Sequence, residues 1–134
     1  MPETILEKLQ GWLSTYPQWE DHPAEFYLLP KAMEETSRQA DILGNTFVGC
    51  KCYVNLFWEM EALDSEGENA ERMLKFLQWI QFQSASGFAP RFGDMLSRER
   101  IRTEKSGFTL GGQTVTYTVT LVADFVKAYE AESQ

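Results

Sequence analysis

Few residues in this chain have types and spacings that could do chemistry: one histidine, two cysteines, a run of carboxylates and three closely spaced arginines. His22 lies in Glu20-Asp21-His22-Pro23, where an acidic neighbour could orient an imidazole as a general base. No serine or cysteine occupies a recognisable nucleophile elbow, and Pro23 marks a surface turn, so the sequence favours a solvated loop histidine. Cys50 and Cys52 stand two apart in an apolar alternation, too close on one strand for an unstrained bond, and read as buried free thiols. Asp64, Glu66 and Glu68 loosely suggest an oxygen-ligand loop, but the glutamate and glycine positions of a calcium loop do not follow. Gly111-Gly112 precedes a strand rather than a helix and lacks the Lys or Ser of a phosphate loop. The residues call for no cofactor and no metal.

Arg98, Arg100 and Arg102 form the most distinctive charged set. On a strand they would project from one face at intervals of about 6.5–7 Å, a comb that could contact phosphates. The same comb could pair with carboxylates such as Glu34, Glu35, Glu59 or Glu61, across the sheet or a subunit boundary. The chain has 12 basic and 20 acidic residues, net −8, with a Glu or Thr beside each arginine, so ion pairing is favoured and nucleic acid is an unlikely partner. Charge is unevenly spread. Residues 1–45 hold three basic and eight acidic groups, and residues 81–134 hold six of each.

The elements that must position these residues follow from periodicity. Thr4 and Glu7 fit a capping box, and Ile5, Leu6, Leu9, Trp12 and Leu13 recur at helical spacing, giving an N-terminal helix within residues 1–17. Gln18 to Ala24 reads as a connection. Glu25 to Leu29 reads as an edge strand or strand end closed by Pro30. Residues 31–42 are ambiguous between a helical turn and a strand, and the turn Leu43-Gly44-Asn45-Thr46 favours the strand. From Val48 to Met60 every second residue is apolar, while the opposite face carries Tyr53 and Phe57, a long strand with a second apolar face. Asn69 is expected to cap a helix to about Gln83 with a core stripe of Met73, Leu74, Leu77 and Ile80, and Gly87 to terminate it; Phe76, Trp79 and Phe82 widen that stripe. A strand near Leu96 to Lys105, glycine turns at Gly107 and Gly111-Gly112, and an alternating strand from Val115 to Phe125 complete the order, with a polar tail over 130–134.

The fold class expected is therefore α+β, a single domain over 1–134, with a largely antiparallel sheet of four to five strands and two helices packed on one face. No apolar run reaches the length of a membrane span, and Met1-Pro2-Glu3-Thr4 lacks the start of a signal peptide, so the chain reads as made in the cytoplasm. Nine Phe, five Tyr and four Trp exceed what one small core readily holds, and the surplus points to a partner surface.

The second half resembles the small tail-assembly proteins of bacteriophages and prophages: the minor capsid, tail terminator and tail completion group. The resemblance rests on a helix ending in Trp79-Ile80, then Gly87-Phe88-Ala89-Pro90, an Arg-rich strand, a glycine turn and a Tyr-containing final strand, and spans about residues 44–129. Pro30 to Ile42 departs from the proline-rich connection expected there. The resemblance implies a non-enzymatic virion component made in the bacterial host. It would assemble into a homo-oligomeric ring, often a hexamer, and dock to a tail-tube or head–tail connector protein. No catalytic residue carries over. The interface candidates are Tyr53, Phe57, Phe76, Phe82, Arg98, Arg100 and Arg102. Two rival readings stand beside it: a curved-sheet ligand-binding domain or enzyme with a pocket lined by Trp12, Tyr27, Trp58 and Trp79, and a nucleic-acid module using the arginines.

Overall fold

A computed structural model describes residues 4–17 and 26–131. His22, the 18–24 connection and the end of the polar tail lie outside the described residues. The element order is α1 (Ile5–Leu13), β1 (Phe26–Ala40), β2 (Thr46–Glu61), α2 (Glu66–Ala85), β3 (Arg100–Gly111) and β4 (Thr114–Tyr129), with a 3-10 turn at Leu96–Arg98. The four strands form one sheet of order β1-β2-β4-β3, antiparallel throughout, and the helices pack on one of its faces.

The helices start where side chains can satisfy free backbone N–H groups. Thr4 and Glu7 form the capping box of α1, and Leu9, Trp12 and Leu13 are its buried stripe. The α2 cap is Ser65, whose hydroxyl accepts from the Glu68 amide at 3.1 Å, and not Asn69 as the sequence suggested. Asn69 is instead buried inside the first turns. Its side chain accepts from the Leu63 amide at 2.9 Å and donates to the Leu63 and Ser65 carbonyls at 3.3 and 3.0 Å. The Tyr117 hydroxyl donates to the Asn69 carbonyl at 3.1 Å, tying α2 to β4.

The buried face of α2 is also rotated from the expected stripe. Phe76 and Ile80 are buried, Met73 and Leu77 are partly so, and Leu74 is 52% exposed. Phe76, expected on a second face, is 0% exposed. It is enclosed by Tyr16, Trp58 and Trp79 with ring centroids 5.0, 5.2 and 6.3 Å away. Trp12 stacks on Trp79 at 5.4 Å and donates its indole N–H to Gln83 at 3.0 Å, which locks α1 against α2. Burial pushes the Tyr16 phenol up to about 12.

The ambiguous segment 31–42 is strand. β1 runs through Pro30 because it is an edge strand, and its register slips between Pro30 and Ala32 and again between Glu35 and Ser37. The β1–β2 turn is built on Asp41, whose carboxylate accepts from the Leu43 and Asn45 amides at 2.9 and 3.0 Å. Gly44 takes φ +87°, whereas Asn45 contributes its side chain, accepting from the Ala131 amide at 2.8 Å. β3 starts later than expected, at Arg100, because the preceding chain folds back on itself: the Glu99 carboxylate accepts from the Phe92 and Gly93 amides. Asp94 then continues the edge beyond β3, donating its amide to Val126 and accepting from the Ala128 amide. Gly107 lies within β3 after a bulge at which Lys105 takes φ +47°, and the β3–β4 turn rests on Gly112 at φ +67°.

Phe76→Ala is expected to cost about 3–5 kcal/mol of unfolding free energy, as for a fully buried aromatic. Phe82→Ala, at a position 59% exposed, should change it by about 0.5 kcal/mol or less. Urea unfolding of both variants measures the contrast.

Candidate functional site

Strand alternation sends two sets of side chains to opposite faces of the sheet. Val54, Leu56 and Trp58 of β2 and Val115, Tyr117, Val119 and Leu121 of β4 face the helices and are buried. The other face carries Lys51, Tyr53, Asn55, Phe57 and Glu59 of β2, all half-buried or exposed, and no described helix crosses it. Tyr27 of β1 stacks on Phe57 with centroids 5.0 Å apart, and Tyr27 and Leu29 remain 57% and 49% exposed. Beyond them Asn55 accepts from the Thr120 hydroxyl at 2.9 Å. This open face is the candidate site.

The interface candidates divide accordingly. Tyr53 and Phe57 share the open face and meet Val122 and Thr118 across the ladder. Phe76 is a core residue and is removed from the set. Phe82 is exposed on the helix side, 6.4 Å from the Phe88 ring and separate from the open face. The arginines do not form a comb. Arg98 lies in the 3-10 turn, while Arg100 and Arg102 project from the open side of β3 beside Asp124 and Val122. Arg102 pairs with Glu104 and, at 3.8 Å, with Asp124, not with the carboxylates of the first half that the sequence suggested.

Electrostatics on this face are local. The Arg102 guanidinium, by hydrogen bond and then by its field, holds the Glu104 carboxyl below the usual 4.5. Burial, and then the nearby Glu34 and Glu104 charges, push the Tyr53 phenol up, and its hydroxyl lies 3.5 Å from Glu34. Sequence reasoning missed Tyr27 and Leu29 as members of the patch. The signal was present in the Phe26–Leu29 alternation, but their partners depend on the β1–β2 register.

The rival pocket does not form. Trp12, Trp58 and Trp79 belong to the core on the helix side and Tyr27 to the opposite face. A groove of about 1060 Å³ runs between the C-terminal half of α2 and the start of β3, past Gln81, Ser84 and Thr103, and Arg98, Arg100 and Arg102 all line it. Its carboxylates are committed: Glu99 to the Phe92 and Gly93 amides, Asp124 to Arg102. An apolar notch of about 390 Å³ between α1 and β1 is lined by Ile5, Leu6, Met33 and Val54. Both thiols face the helix side, where burial raises their pKa and leaves them in the unreactive protonated form. Among the described residues no group of three or more His, Cys, Asp or Glu is placed to hold a metal ion; Glu66 and Glu68 lie instead in the first turn of α2. No helix among the described residues is long and apolar enough to cross a membrane.

Comparison with protein-family models, with curated proteins and with solved structures yields no match in any of the three.

Because the Glu104 carboxyl is depressed on folding, its contribution to stability is present above its unfolded pKa and is lost as pH falls through the folded value. Arg102→Met removes the cause. Its thermal midpoint is expected to fall less steeply than wild type between about pH 5 and pH 3, read by circular dichroism across that range. Native Cys50 and Cys52 should resist a thiol reagent that labels both after unfolding in urea.

Proposed function

We propose that this chain is a non-enzymatic structural protein of a bacteriophage or prophage, placed in the tail or at the head–tail joint. It is made in the bacterial host cytoplasm and incorporated into the virion. It acts by homo-oligomeric ring assembly, a hexamer in the form the resemblance implies, and by docking to a tail-tube or connector protein. One observation carries the assembly part of this reading: a sheet face on which exposed Tyr27 stacks on half-buried Phe57, on a fold whose opposite face is already packed by its helices. Exposed apolar surface that is contiguous marks contact with a protein, a membrane or a ligand. The phage assignment rests on the run from Trp79-Ile80 through Gly87-Phe88-Ala89-Pro90 to the Tyr117 strand. The acidic N-terminal part and the neutral, arginine-bearing C-terminal part suit head-to-tail contacts in a closed ring.

Light scattering at several concentrations, with and without a purified tail-tube protein, tests the proposal. The expected result is a mass that is a multiple of 15.4 kDa and a further increase with the partner. A strict monomer that also ignores the tail-tube protein overturns it.

A further inference from the structure

The open face carries a pattern that identifies its own partner. Along β2 it reads Lys51, Tyr53, Asn55, Phe57, Glu59. Reversed about Asn55, this order sets lysine against glutamate and tyrosine against phenylalanine. The β1 row agrees, while on β3 Glu104, level with Asn55 through Thr120, meets its own copy beside Arg102. Tyr27 of β1 lies level with Phe57, and the small Ala32 level with Tyr53, so reversal puts a large side chain over a small one. Leu29, level with Asn55, meets its own copy.

We infer that the open face binds a second copy of this chain, sheet on sheet, about a two-fold axis that crosses the strands at Asn55. The contact is isologous: Lys51 of each copy faces Glu59 of the other, and Phe57 faces Tyr53. Neither lysine nor glutamate forms a close ion pair among the described residues, although Lys51 lies level with Glu34 and Asp124. Aligned sheets cross at about 30°, which offsets positions four residues from the axis by about 7 Å, within reach of a lysine stem. Four strands across and nine residues along outline a footprint of about 570 Å² per copy. Pairing at the sheet edges is disfavoured. β1 carries Pro30, two register slips and the charges of Lys31, Glu34, Glu35 and Arg38, and β3 carries a bulge at Lys105. The inference does not depend on the phage assignment. A two-fold contact closes on itself, so it is separate from the head-to-tail contacts proposed for the ring.

Sedimentation velocity over a concentration series tests it, using wild type, Lys51→Glu, Glu59→Lys and an equimolar mixture of the two variants. Wild type should form even-numbered species. Each variant alone repeats a like-charge contact twice and should associate at least tenfold more weakly. The mixture should recover wild-type association, because both contacts then join opposite charges. A wild-type monomer at every concentration, variants that associate like wild type, or a mixture no tighter than its components overturns the inference. A second measurement guards against a swap that impairs folding: Leu29→Cys, treated with a short bis-thiol cross-linker, should give a covalent dimer, whereas Leu110→Cys on the helix side should not. Absence of the Leu29→Cys dimer, or equal dimer from both, overturns it.

Discussion

Everything in this molecule follows from a mismatch between sheet and helix. Four strands of 12–16 residues present two faces, and helices of 9 and 20 residues among the described elements cover one of them. Strand parity then sorts the aromatics. Trp58 is buried among Tyr16, Phe76 and Tyr117, while its neighbour Phe57 points the other way and stacks on Tyr27. Burial of aromatic surface supplies most of the drive for the packed layer, and the same side-chain chemistry on the open face is left in contact with water.

Polar groups follow the same division. On the packed side they hold elements in place: Asn69 clamps the Leu63–Ser65 loop, Tyr117 bridges to α2, and Glu99 folds the 92–93 backbone into a tight return. On the open side they are arranged in the plane of the sheet, as the Arg102–Glu104–Asp124 group and the Thr120–Asn55 bond show. A charge group satisfied in the plane lets the face meet another surface without an unpaired buried ion. The chain thus presents a broad surface in place of a convergent pocket, and this suits assembly better than turnover.

Both edges of the sheet carry irregularities that weaken strand addition: proline and register slips on β1, a bulge on β3. A sheet guarded at its edges and open on one face directs association toward stacking. The long β1–β2 hairpin, with Ile42 and Leu43 exposed at its tip, extends beyond the part the helices cover.

What the sequence determined by itself were the features set by local periodicity and capping. The α1 stripe, the parity of β2 and β4, the strand over 31–40 and the left-handed Gly87 were all legible, because each depends on neighbours within a few residues. Tertiary structure decided which face of α2 is buried, and so withdrew Phe76 from the surface and released Leu74 to it. It also decided the cap of α2, the return of the chain at Glu99 that delays β3 and breaks the arginine series, and the register that brings Tyr27 onto Phe57. Helical periodicity defines a stripe only to within about a third of a turn, and register depends on partners far away in the chain. Long-range packing, absent from any local pattern, made those choices.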